Sequence, residues 1–134
     1  MPEPDDDVVE LATRLFAMAR SGETDRLVAY LDAGVSPNLA NQKGDSLVML
    51  AAYHGHAATV RALVSRGADP DQANDRGQTP LAGTVFKDER EVMAVLLAAG
   101  ADPEAGRPSA ADTARMFERA DLLAVLHGGP PADI

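Results

Sequence analysis

The chain has 134 residues, of which 46% are hydrophobic and only 4% aromatic, and its formal net charge is −9. This composition favours one domain whose core consists of closely packed helices rich in Ala, Leu and Val over a sandwich or a barrel. The negative charge argues against nucleic acid and anionic membranes as partners. Cysteine is absent, which excludes disulfides and thiolate metal sites.

The chain begins with the acidic segment MPEPDDD, which lacks the basic and apolar regions of a secretory signal. No apolar run in the sequence approaches the ~18 residues of a membrane span. We therefore expect a cytoplasmic protein. We also expect residues 1–6 to form a flexible acidic tail and residues 128–134 to form a flexible tail at the other end.

A period of 33 residues runs through the rest of the chain. The string GADP starts at Gly67 and again at Gly100, and the related GVSP starts at Gly34. Three apolar columns repeat in the same register, with the i, i+3, i+4 spacing of one buried helix stripe. The columns are Leu27, Val60 and Met93; Tyr30, Leu63 and Leu96; and Leu31, Val64 and Leu97.

Turn and capping residues divide each repeat in a regular way. Asn74–Gly77 fits a type I turn, and Thr79 followed by Pro80 fits the start of a helix. Gly55 can end that first helix in the left-handed conformation, and Gly67 can end the second. Each unit is therefore predicted to contain a turn, a short helix, a reversal and a longer helix.

These residues resemble a known family. Asn74–Leu81 (NDRGQTPL), followed by the GADP at Gly100, is similar to the ankyrin repeat, whose unit is a β-turn plus two antiparallel helices. The resemblance implies an all-α solenoid of about four repeats, with short hairpin loops between them and capping units at both ends. The implied domain spans residues 7–127, with repeats at about 8–39, 40–72, 73–105 and 106–127.

The chain departs from the family pattern in its short helices. The signature His is replaced by Met49 and by Ala82, so the hydrogen bonds that this His makes in the family are not expected here. Gly83, Thr84 and Val85 stand where the second unit has Leu50, Ala51 and Ala52. Glycine inside a helix is unfavourable, and Thr and Val are stiffer than Ala. We predict that the first helix of the third unit is the least stable internal element.

The fourth unit is shortened by about three residues, because Ser109 lies only 30 positions after Thr79. Its buried stripe is predicted to be Leu123 and Leu126, with His127 in the third place. A polar residue at that place suits the end of a solenoid, which faces water.

The resemblance also implies that a protein partner binds a concave face formed by the turns and the first helices. On this chain, the implied positions are Arg20, Gln42, Lys43, Asp45, Tyr53, His54, Asp75, Arg76, Gln78, Phe86, Lys87, Met116 and Phe117. Three of the five aromatic residues of the chain are in this set. Aromatic residues and Arg concentrate binding energy at interfaces. The basic residues of the set indicate a partner with an acidic or mixed surface. In the alternative interpretation, Phe86 and Phe117 fold inward and fill space.

No catalytic motif is present: the sequence lacks a G-x-S-x-G elbow, a P-loop and a G-x-G-x-x-G after a strand. We therefore expect a non-catalytic, monomeric adaptor or inhibitor that needs no cofactor. One alternative is an enzyme or a binder of a small molecule or metal, using the groove near His54. His54 and His56 are spaced i, i+2, which does not suit a helical metal site. Another alternative is self-association through the ends of the stack.

Overall fold

The computed structural model describes residues 4–128, with side chains from Asp7 onward, and contains eight helices in that range. The helices are α1 (Pro4–Ser21), α2 (Thr24–Asp32), α3 (Leu47–Tyr53), α4 (Ala57–Ser65), α5 (Pro80–Lys87), α6 (Arg90–Ala98), α7 (Ala110–Met116) and α8 (Ala120–Leu126). Helices α1, α3, α5 and α7 pack side by side in an inner row. Helices α2, α4 and α6 form an outer row, which α8 extends. The expected all-α solenoid of four helix pairs is confirmed.

Helix α5 begins after Thr79, the capping residue predicted from the sequence, and α3 begins after Ser46 at the equivalent position. Ser46 accepts a hydrogen bond from the backbone N–H of Met49 at 3.0 Å, and Thr79 accepts one from Ala82 at 3.2 Å. Pro80 occupies the first turn of α5, where its missing N–H is not needed. A short antiparallel bridge between Ala40 and Ser46 closes the loop that precedes α3. Local sequence thus sets where each inner helix starts.

The predicted apolar columns form most of the core of the outer row. Leu63 and Leu96 are fully buried, and Val60 is as well. The remaining members of the columns are buried or half-buried. Each unit therefore covers the apolar flank of its neighbours, as expected for a solenoid.

One further buried column of the outer row was not predicted from the sequence. It consists of Thr59, Val92 and Leu122, each 1% exposed. Thr59 can occupy this site because its hydroxyl oxygen lies 2.7 Å from that of Thr24, so both groups are satisfied. This contact shows that the column faces the preceding unit.

The same geometry corrects the prediction for α8. Leu122 and Leu126 are buried, whereas Leu123 is only half-buried. Leu122 continues the buried column of Thr59 and Val92, whereas Leu123 packs against the edge of the core and is partly exposed. His127 is exposed, as expected for this end of the solenoid.

The expected tail at residues 1–6 is also corrected in part, because α1 begins at Pro4. Proline is tolerated in the first turn of a helix, because a backbone N–H at that position would have no intrahelical partner and its absence costs nothing. Residues 1–3, and residues 129–134 of the second expected tail, lie outside the described residues.

Candidate functional site

The turn tips are held in place by the two asparagines of the repeat. The side-chain oxygen of Asn41 accepts bonds from the backbone N–H groups of Lys43 and Asp45, at 2.9 and 3.0 Å. Asn74 makes the equivalent bonds in the next turn, and its amide nitrogen donates to Asp45 at 2.9 Å. The backbone N–H of Asp75 donates to the carbonyl of Lys43 at 3.0 Å. Neighbouring turns are therefore tied into one ladder before any ligand binds.

The structure places the predicted binding residues at the surface: all of them are exposed except Asp45, which is half-buried. The exposed fraction is 60% for Phe86, 67% for Met116 and 52% for Phe117. The alternative in which Phe86 and Phe117 fold inward is therefore wrong. Their rings contact each other edge to face, with centroids 5.7 Å apart.

These side chains border an apolar groove of about 290 Å³ between α3, α5 and α7. Its lining consists of Met49, Tyr53, Gln78, Thr79, Ala82, Gly83, Phe86, Pro108, Thr113, Met116 and Phe117. None of these described lining residues is charged. The groove is open because Ala82 and Gly83 carry little or no side chain between the rings of Tyr53 and Phe86. It is of a size to receive one large apolar side chain.

A cation stands over one wall of the groove. The Nζ atom of Lys87 lies 4.8 Å from the centroid of the Tyr53 ring, and the His54 ring packs edge-on against Tyr53 at 5.6 Å. A cation over an aromatic face contributes about 0.5 to 1 kcal/mol at exposed sites. The contact holds Tyr53 in position and places a positive charge at the rim.

Two further depressions continue the groove along the inner row. One, of about 280 Å³, contains Tyr53, Gln78 and Arg76 together with Lys43 and Asp45. The other, of about 680 Å³, lies between α1 and the first turn and is lined in part by Arg20, Gln42, Lys43 and Asp45. Lys43 and Asp45 belong to both. We call this continuous surface of turn tips and exposed inner-row residues the groove face.

Sequence reasoning missed several residues of the groove face. Met49, Ala82 and Gly83 line the apolar groove, as do Pro108 and Thr113 of the fourth unit. The signal for three of them was present in the repeat register, because the departures from the family pattern at 49, 82 and 83 occur side by side in space. The contribution of Pro108 depends on how the shortened final turn packs, which the spacing does not show.

His56, the neighbour of His54 in the candidate metal pair, is engaged in a contact between units. The Nε2 atom of His56 forms a hydrogen bond of 2.7 Å with the backbone carbonyl oxygen of Arg20. Its ring also packs so closely on Gly22 that a side chain at that glycine would clash with it. Among the residues that the structure describes, no group of three or more His, Asp and Glu side chains could hold a metal ion. His56 instead links the first and second units.

Paired charges connect the third and fourth units. Arg90 and Arg119 bridge Asp88 and Asp121, with the shortest contact, between Arg90 and Asp121, at 2.8 Å. The hydrogen bond from Arg119 holds the pKa of Asp121 below its ordinary value. These ion pairs join the third and fourth units at their helix reversals.

Within residues 4–128, no helix is both long and apolar enough to cross a bilayer.

Comparison with known proteins agrees with this architecture. The model of a family described as ankyrin repeats (3 copies) matches residues 15–106, which is more than half of the chain. An ankyrin repeat protein of Pseudomonas aeruginosa is 55% identical over 60 residues, which cover 45% of this chain and 35% of that protein. The chain thus matches about a third of that relative's length. The fold, the repeat register and the family match lead to one conclusion: this chain belongs to the ankyrin-repeat family.

Proposed function

We propose that the protein is a non-catalytic interaction module that docks a protein partner on the groove face, as an adaptor or an inhibitor. The observation that carries this proposal is the apolar groove bordered by Tyr53, Phe86, Met116 and Phe117. Ankyrin repeats are generally protein-protein interaction modules, which agrees with this role. These four large side chains are 40 to 67% exposed and lie on one side of the protein. Exposed apolar side chains that cluster in this way mark interaction surfaces.

The groove face has the properties of an interface core. Aromatic side chains bury a large area at a small entropic cost, and truncating a central one can lose at least about 2 kcal/mol of binding free energy. The bonds of Asn41 and Asn74 already hold the turn tips in one conformation. Little ordering is therefore needed on docking, which leaves more of the contact energy as affinity.

The groove face offers little for catalysis. A general acid or base needs a positioned titratable group inside a pocket from which water is excluded. The apolar groove instead combines uncharged lining residues with an open mouth. Reversible docking is therefore the mechanism that we propose.

The proposal is tested by replacing both Tyr53 and Phe86 with alanine. Affinity capture from the native cell with the full chain as bait, followed by mass spectrometry, identifies candidate partners. Binding of the purified candidate to the wild-type chain and to the variant is then measured by calorimetry. We expect the double variant to lose at least about 30-fold in affinity.

A matched control changes the outer row instead. Arg61 and Glu91 are exposed on α4 and α6, so replacing both with alanine should leave the affinity unchanged. Both variants should keep the helical circular dichroism spectrum of the parent. If Tyr53→Ala with Phe86→Ala binds as well as the parent does, the groove face is not the docking site and the proposal fails.

A further inference from the structure

The positive charges of the chain divide into two groups of six. Six of its twelve Lys and Arg residues form ion pairs with Asp or Glu. The paired residues are Arg14, Arg26, Arg66, Arg90, Arg115 and Arg119. The other six make no ion pair within residues 7–128, although the chain has 21 acidic residues. These six are Arg20, Lys43, Arg61, Arg76, Lys87 and Arg107.

Five of the six unpaired cations lie along the groove face. Arg20 and Lys43 line its first depression, and Arg76 lines the middle one. Lys87 stands over Tyr53 at the apolar groove. The backbone N–H of Arg107 donates to the carbonyl of Gly77 at 2.8 Å, which places Arg107 beside the turn that carries Arg76. The exception is Arg61, which lies on the outer row.

Three carboxylates near the groove face are engaged within the chain, whereas Glu118, next to Phe117, is exposed. Asp88, which follows Lys87, pairs with Arg90 and Arg119. Asp45 accepts the bond from Asn74, and Asp112 pairs with Arg115 at 2.9 Å. Asp75, exposed next to Arg76, offsets part of the charge in the middle of the row. Lys87 and Arg107 remain as free cations near the apolar groove.

Unpaired cations have a cost when a partner covers them without supplying charge. A neutral apolar partner would have to desolvate Lys87 and Arg76 without compensation, and a basic partner would be repelled by them. An acidic partner gains short-range ion pairs at the rim, even though the protein as a whole is acidic. Charge complementarity therefore favours one class of occupant.

We infer that the docked segment is an acidic peptide of a partner protein that carries one large apolar side chain. That side chain enters the groove between Tyr53, Phe86 and Phe117, and carboxylates on either side of it meet Lys87 at one edge and Arg76 with Arg107 at the other. This inference rests on the proposed function, because it names the chemistry of the partner for the same surface.

The test is a selection of random peptides of about 12 residues, displayed on phage, on the immobilised full chain. Peptides that also bind the chain with Tyr53→Ala and Phe86→Ala are removed by counter-selection. The expected survivors have several Asp or Glu residues around a Phe, Leu, Ile, Met or Trp. Their synthetic forms should bind more weakly as NaCl rises from about 50 to about 500 mM, because salt screens exposed charges.

Charge reversal provides the matched comparison. Lys87→Glu combined with Arg76→Glu should weaken binding of a selected acidic peptide about tenfold, since each exposed pair is worth up to about 1 kcal/mol. Arg61→Glu removes an unpaired cation from the outer row and should leave the affinity unchanged. Repeating the selection on the charge-reversed chain should enrich basic peptides instead.

The outcomes separate the inference from the proposed function. Neutral or basic survivors that depend on Tyr53 and Phe86 overturn the inference and leave the proposed function intact. Peptides that bind the parent and the counter-selection variant equally well contradict both. An empty selection overturns the inference, and so does tight binding of a single-stranded oligonucleotide that is lost in the charge-reversed chain.

Discussion

The second and third units share one backbone plan but differ at matched positions. Their long helices are alike: Leu63 in α4 and Leu96 in α6 occupy the same site, and both are 0% exposed. Their inner helices are not alike, since Leu50 in α3 corresponds to Gly83 in α5. One buried outer site thus keeps the same residue in both units, whereas the matched inner site changes from Leu to Gly.

The variation in α5 has different consequences at its two central positions. Thr84 is fully buried where α3 has Ala51, and its hydroxyl donates to the carbonyl of Leu81 at 2.6 Å. The extra polar group is therefore satisfied. Gly83 has no such compensation, but it opens the apolar groove. Gly83 therefore combines a low helix propensity with a place in the lining of the apolar groove.

The largest expected effect tests whether the outer column is equivalent in the two units. Leu63→Ala and Leu96→Ala each leave a cavity in a fully buried site, so each should lower the free energy of unfolding by about 2 to 5 kcal/mol. Urea denaturation followed by circular dichroism measures both losses. A loss below about 1 kcal/mol for one variant alone would show that the two units are packed differently.

The next largest change in stability is expected at the helix reversals. There, one repeat position adopts a positive φ but is occupied by different residues in successive units. Gly55 has φ +79° and lies against Glu89, whereas Glu118 has a positive φ of 53° without being glycine. Gly55→Ala should cost about 1 to 2 kcal/mol of stability. Glu118→Gly should instead stabilise the protein by about 0.5 to 1 kcal/mol. Thermal unfolding of both variants checks the opposite signs, and the same sign for both would contradict the explanation.

The inner row offers a smaller test. We expect the amides of α5 to exchange hydrogen faster than those of α3, because of Gly83. Gly83→Ala should slow that exchange and add about 0.5 to 1 kcal/mol of stability. A Cβ atom there would lie 3.7 Å from Tyr53 Cδ2, which is an ordinary contact. Exchange in α5 as slow as in α3 before the substitution would refute the expectation.

The smallest effect compares Asn38 with Asp71, which stand at equivalent positions in the two units. The side-chain oxygen of each accepts a bond from the Asp of the next GADP string, the backbone N–H of Asp69 at 2.7 Å and of Asp102 at 2.9 Å. Partial burial raises the pKa of Asp71 above 3.8, and the charges of Asp69 and Asp102 raise it further. A raised pKa means that the folded state binds the proton more tightly, so ionised Asp71 destabilises the protein above its folded-state pKa.

Asp71→Asn copies Asn38, keeps the acceptor and removes the charge. It should stabilise the protein at pH 7 by about 0.3 kcal/mol, since water screens this partly exposed site. The gain should disappear as the pH falls through the pKa of Asp71. Asp71→Ala is the control, because it removes the acceptor as well and should be less stable than Asp71→Asn at pH 7. A gain that is the same at pH 3 and pH 7 would exclude the electrostatic explanation.

Much of the fold was predictable because its signals are local. Asn74, Thr79 and Pro80 act within a few residues of their own positions, so the turn and the helix start could be assigned from sequence spacing. The burial of Leu122 rather than Leu123 could not, because it depends on which neighbouring unit is present to cover each side. The candidate site shows the same division. The repeat register placed Phe86 among the residues implied for binding but left open whether its ring folds inward. The role of Pro108 in the groove likewise required the packing of the shortened last unit.

The sequence alone determines the repeat period, the helix boundaries and the apolar columns, because the hydrogen bonds within turns and helix starts span only a few positions. The groove, the row of unpaired cations and the ion pairs among Asp88, Arg90, Arg119 and Asp121 come from stacking. The pairs of Arg90 with Asp121 and of Arg119 with Asp88, for example, join side chains 31 residues apart in the chain, and they meet only because the units stack with a particular offset. Sequence spacing therefore predicts the building block, and contact between blocks creates the surface proposed to bind a partner.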